Sequence, residues 1–394
     1  MKPVAAVFFL IALAACSRPS TPALIPDAPA SAGAARTSAG FSTLVQFKGS
    51  NGCTPIGGLV AAGTTLYGTT TCGGAHHKGN IFRVDISGKK FHVVRDFGRA
   101  EQGTSSTLLL VGRTLYGTAS QGGPKGYGSV YSIGLNGKVN WVKGFTEAAH
   151  PYGGLTELNG EFYGTTVNGG GFGSCGVLGC GTVFKTGPSG EPTTIYSFGH
   201  TAIGPANPYG RLSVYDGALY GTTKLGGLYN TGTVFRVTTS GQEGMVFGFG
   251  DYNGGVSPSG ALAIVKGPRF YGTTETGGKF RQGSVYRDPG YGRPWGYSFG
   301  ASSNDGAQPE GGVIRMGGAV YGTTSAGGDA GCGTIFEITG KRAASIVERV
   351  LHRFAGSADG CHPMSELTPV NGVLYGTTSS GGANNGGTVF ALKP

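Results

Sequence analysis

The chain has 394 residues, 79 of them glycine, with 21 Phe, 18 Tyr, 13% charged residues and a formal net charge of +10. That much glycine would suit collagen or a disordered chain, but there is no Gly-X-Y period, and disordered chains lack such aromatics. The basic excess favours anionic partners, while no basic run or basic helix marks a nucleic-acid site.

Residues 1–15 read as an export signal: Lys2, an apolar run from Val4 to Leu13, then small residues. The run is too short for a span of about 20 residues and fits a cleaved secretory signal. Leu13-Ala14-Ala15-Cys16 resembles the lipobox of bacterial lipoproteins. The resemblance implies cleavage before Cys16 and a diacylated thiol, so that a membrane is the first expected partner. Ser17, where an Asp would favour inner-membrane retention in that family, implies the outer membrane, on its periplasmic side or at the cell surface. Residues 16–41, rich in Ser, Pro and Ala, read as the anchor and a flexible tether.

From there the chain repeats itself. Tyr-Gly-Thr recurs at Tyr67, Tyr116, Tyr163, Tyr220, Tyr271, Tyr321 and Tyr375, and each Tyr is followed six residues later by Gly-Gly. In every copy but the third, a Gly-polar-aliphatic-aromatic element begins twelve residues after the Tyr; in the third, Gly181 is eighteen residues on. The Tyr spacings of 49, 47, 57, 51, 50 and 54 residues match the period of kelch-type propeller blades. Each module offers four short strands. In the fourth they are Arg211 to Tyr215, Ala218 to Thr223, Gly232 to Val237 and Gly244 to Phe249. The small Gly after each Tyr is expected to let adjacent sheets approach.

The ends argue for a ring. The chain stops after the third strand of the seventh module, and Leu44-Val45-Gln46-Phe47 supplies a spare fourth strand. An open solenoid would want distinct capping repeats, whereas closure protects the edges. The expected fold is all-β: one seven-bladed β-propeller over residues 42–394, closed by an N-terminal strand in the last blade. The modules, as in Leu374-Tyr375-Gly376-Thr377-Thr378, Gly381-Gly382 and Gly387-Thr388-Val389-Phe390, resemble the GloVer (Gloeo-Verruco) tandem repeat of bacterial exported, "choice-of-anchor" proteins. The resemblance covers all seven modules and implies export and surface attachment, with no activity to transfer. Ala119, in place of the second Thr, and the insertion of the third module depart from the pattern.

Six cysteines remain beside Cys16, an even number in an oxidising compartment. Six allow fifteen pairings. Cys53 with Cys72, Cys175 with Cys180 and Cys332 with Cys361 suit the module positions, and without Cys-x-x-Cys zinc is the weaker rival. All six lie in loops of one face, which joins fourth strands to the next first strands and second strands to third. The variable tips lie there as well: His76, His77, Lys78, Lys125, Tyr127, Tyr229, Lys279, Phe280 and Arg281, with Tyr152, Tyr209 and Glu310 beside the entry prolines. Loops on a rigid frame are where function usually sits.

Three readings of that face stand. Aromatic and basic tips suit a binding or interaction scaffold for glycans, anionic surface polymers or an envelope protein. A glycosidase or lyase would need two placed carboxylates, and Glu101, Glu147, Asp251, Glu275, Asp305, Glu310, Asp329 and Asp359 are available. A purely structural envelope subunit would show no pocket at the channel mouth. The scaffold is the expectation, as a monomer, with no catalytic residue, metal or cofactor assigned and no nucleic-acid partner.

Overall fold

The computed structural model describes residues 40–394 apart from 148, 172–174, 189, 251–254, 266–268, 289–294 and 341–344. The expected signal, Cys16, the tether to residue 39 and Asp251 lie outside the described residues. Seven four-stranded antiparallel sheets follow one another as the blades of a β-propeller. The first blade is Val60–Ala62, Thr65–Thr70, Asn80–Asp85 and His92–Asp96. The fourth is Ser213–Tyr215, Ala218–Leu225, Thr233–Thr238 and Glu243–Gly248, with Ala206–Pro208 added along the second strand.

The ring closes through its ends. The N-terminal strand Phe41–Gln46 pairs antiparallel with Thr388–Leu392, from Phe41 opposite Leu392 to Gln46 opposite Thr388. Without it, Thr388–Leu392 would present a row of unpaired backbone groups.

The repeated motif forms both the core and the joints. Each Tyr is buried between blades, as in the cluster of Tyr375, Val389, Phe47, Leu66 and Phe82 across the seventh and first. The Gly after it faces an aromatic ring of its own third strand. A Cβ on Gly221 would lie 2.5 Å from Phe235, and one on Gly376 2.4 Å from Phe390. The expectation that this Gly lets neighbouring sheets approach is therefore corrected: it makes room for a ring within its own blade.

The Thr that follows donates its hydroxyl to the next blade. Thr69, Thr118, Thr165, Thr222, Thr273 and Thr323 bond the main-chain oxygens of Ser106, Gly153, Gly210, Gly260, Gly311 and Ser365. Thr377 completes the circle on the Gly57 oxygen at 3.2 Å. A buried hydroxyl needs such a partner, so the same residue type recurs at the same place in each blade.

Entry loops are fastened in a second way. The residue before each entry proline has a positive φ: Thr54, His150, Asn207, Ser257, Gln308 and His362, between 51° and 57°. Its N–H bonds a carbonyl of the preceding blade, as His362 to Cys332 at 2.9 Å and Asn207 to Cys180 at 2.7 Å. Those bonds hold a backbone region that a non-glycine residue seldom adopts. Disulfides join Cys53 to Cys72, Cys175 to Cys180 and Cys332 to Cys361, the last between the sixth and seventh blades.

Candidate functional site

Every entry loop sends three residues to the axis, and together they line a cavity of about 120 Å³. The third place is small in most: Gly58, Thr107, Gly154, Ala261 and Gly312. It is Arg211 in the fourth blade and Glu366 in the seventh. These two are 155 residues apart in sequence, yet the Arg211 guanidinium donates to the Glu366 carboxylate at 3.0 Å. The pair also lines a second cavity of about 290 Å³ bounded by the first strands. Arg211 Nε is buried there with no hydrogen-bond partner among the described residues.

Towards the entry face the first residues of the triplets meet. Tyr152 and Tyr209 stack, ring centroids 5.2 Å apart and 23° between planes. Tyr152 keeps 38% of its surface exposed, so the pair offers an aromatic platform. Lys224 Nζ stands 4.5 Å from the Tyr209 ring centre and 2.8 Å from a Glu275 carboxylate oxygen. Glu310 lines the same cavity, half-buried. Burial pushes its carboxyl above the usual range, the Ser325 hydroxyl beside it opposes, Glu275 adds to the rise, and Lys224 and His362 pull against it. Burial likewise pushes the Tyr209 phenol up, with Lys224 opposing and Tyr152 and Glu275 adding. Two histidines brace the loops. His150 Nδ1 lies 2.8 Å from the Ser120 oxygen and His362 Nδ1 2.7 Å from the Ser325 oxygen. A carbonyl only accepts, so each Nδ1 carries the proton.

The structure therefore divides the expected face. Tyr152, Tyr209 and Glu310 converge on the axis, and none of the other tips lines that cavity. His76 and His77 are exposed, and Lys78 Nζ donates to Gln102 at 2.7 Å. Tyr127 and Tyr229 are 37% and 44% exposed on different blades. Lys125 reaches the Thr146 oxygen at 3.4 Å. Lys279 lies 5.3 Å from the ring centre of Phe280, with Arg281 exposed beside them. Among the described residues no three His, Cys, Asp or Glu form a group able to hold a metal ion, and no helix is long and apolar enough to cross a membrane.

Sequence reasoning missed Arg211, Glu366 and Lys224, and weighed Glu275 only as one carboxylate among eight. A signal for the first two was present: opposite charges where the other modules hold small residues.

No curated protein matches the chain. Among solved structures it is similar to streptogramin B lyase, with a TM-score of 0.61 and 15% identity over 91% of this chain and 99% of that one. It is also similar to PorZ, described as a bacterial surface component of the type-IX secretion system of Porphyromonas gingivalis. There the TM-score is 0.52 and identity 12%, over 89% of this chain and 48% of that one. At such identities the likeness is one of fold. The family model described as the Gloeobacter/Verrucomicrobia repeat matches residues 34–202, 114–293 and 269–394. These matches run through all seven blades, and the chain belongs to the Gloeobacter/Verrucomicrobia repeat family.

Proposed function

We propose that the protein is a lipid-anchored binding scaffold of the bacterial cell envelope, without enzymatic activity, whose axial mouth takes a sugar unit of a surface glycan. The stacked Tyr152–Tyr209 pair carries this reading. A sugar ring presents an apolar C–H face and a polar edge, and an aromatic platform with hydrogen-bonding groups beside it suits both. Lys224 and Glu275 neutralise one another, and burial disfavours a charge on Glu310. The mouth is therefore suited to a neutral sugar more than to a polyanion. Leu13-Ala14-Ala15-Cys16 supports the anchor and Ser17 the outer membrane. Mass spectrometry of the mature N-terminal peptide should find acyl groups on Cys16; an unmodified thiol there refutes the anchor.

A glycan array on the purified protein tests the mouth. Bound glycans should be lost from the Tyr152→Ala/Tyr209→Ala variant by about thirtyfold, the scale of a binding hot spot near 2 kcal/mol. Unchanged binding in that variant would remove the mouth from the account.

One observation favours an enzyme as the second reading. Burial keeps Glu310 protonated to higher pH beside Glu275, which Lys224 holds in an ion pair. A carboxyl whose ionisation burial disfavours, close to a second carboxyl held in an ion pair, is the kind of unequal pair that glycoside hydrolysis uses. New reducing ends from an array hit, abolished by Glu310→Gln, would replace the scaffold reading with this one.

A further inference from the structure

The opposite face is built from the hairpin turns joining first to second and third to fourth strands. There a groove of about 940 Å³ runs between the first and second blades. Its basic lining is Arg83, His92 and Arg113, beside Tyr67, and no carboxylate lines it among the described residues. Neither arginine has an ion-pair or hydrogen-bond partner among the described residues, and both are exposed. Lys89, Lys90 and Lys138 stand on the adjoining turns. The acid of this sector, Asp85, is occupied within its own turn, accepting from the Ser87 hydroxyl at 2.9 Å and the Lys89 N–H at 2.8 Å. In the third and fourth blades the same face carries Lys185 and Arg236 at the place of Arg83, but outnumbered there by Glu157, Glu161, Asp216 and Glu243. This sector is thus net basic where the third and fourth blades are net acidic, and Val93 adds an apolar side chain that is 37% exposed.

That sector adjoins the point where the chain enters the ring. Gly40 accepts a hydrogen bond from the Lys393 N–H at 3.1 Å on this face. The turn at Gly88 packs on Leu44 of the closing strand, a Cβ there lying 3.2 Å from Leu44 atoms. We propose that this basic groove docks on the headgroups of an anionic membrane surface. The inference rests on the envelope reading above and extends it to a second face. A lipid chain holds a protein to a membrane firmly when a basic patch acts with it. Docking here would turn the entry face, with its aromatic mouth, away from the bilayer.

The test uses the full chain carrying Cys16→Ser, which cannot be acylated, in flotation with vesicles. Phosphatidylcholine vesicles are compared with phosphatidylcholine–phosphatidylglycerol vesicles. The difference between the two is the readout, because the apolar run from Val4 to Leu13 partitions into either. Stronger binding to the anionic vesicles is expected, fading as salt is raised. Arg83→Ala and Arg113→Ala should each reduce it about fivefold, with unchanged circular dichroism. Equal binding to both vesicles, or unchanged binding in the double variant, overturns the proposal. So does binding of polygalacturonate with none to vesicles, which would make the groove a polysaccharide site. Acylation of Cys16 is read separately on the wild-type protein, so a missing anchor and a failed groove give different results.

Discussion

The three residues of Tyr-Gly-Thr do three separate things. The Tyr fills the space between blades, the Gly clears space for a ring of its own sheet, and the Thr ties its blade to the next. Only the recurrence was legible in the sequence. The acceptors of the seven Thr hydroxyls are main-chain carbonyls, which leave no residue type to read. The Gly was misassigned because the aromatic it faces is a cross-strand partner fourteen residues away, as Gly221 is from Phe235. Gly221→Ala places a methyl 2.5 Å from Phe235 and 2.9 Å from Leu212. It should cost about 1–3 kcal/mol, as overpacking does, measured by denaturant unfolding. Glu348 gives a pH dependence. It is buried, with one carboxyl oxygen unpartnered among the described residues. Burial raises its pKa from 4.5 to about 8, with Asp305 adding and Arg353 opposing. The neutral form suits the fold, so its contribution to stability is complete below pH 4.5 and is lost as pH rises through about 8. Glu348→Gln should match wild type in melting temperature at the acid end and exceed it above pH 8; equal curves throughout would contradict the assignment.

Among the elements, the closing strand and the cysteine loops were the most legible, because each is an exception to a strict repeat. A missing fourth strand at one end and a spare one at the other can be seen without coordinates. The pairing starts at Phe41, one residue before the expected start of the ring, because its ring stacks on His352 at 3.7 Å. The paired strands Gly306–Ala307 and Ala326–Gly327 of the sixth blade were not legible, since two-residue strands have no periodicity. The Cys332–Cys361 bridge spans 29 residues and joins two blades. Replacing both cysteines by Ser should cost about 3.5 kcal/mol by loop-closure entropy, read as a lower midpoint in denaturant with a slope equal to or above that of the wild type, since the unfolded chain is freer to expand. A lower slope would mean that the two blades separate before the ring unfolds.

At the scale of the molecule, seven similar blades make a scaffold, and function is sought where they differ. The sequence identified the face on which they differ, but not how far each loop reaches from the axis. Residues beside the entry prolines reach the centre, whereas those after Gly-Gly stay on separate tips, and both kinds of loop look alike in composition. The axial contact between Arg211 and Glu366 was hidden for the same reason, since ring closure alone brings the fourth and seventh blades together. The most direct test of the account is a crystal structure of the protein with a glycan selected on the array. The account predicts a sugar ring over Tyr152 and Tyr209, with its polar edge towards Lys224, Glu275 and Glu310. A sugar bound at the blade tips or in the groove of the opposite face, with the mouth unoccupied, would contradict it.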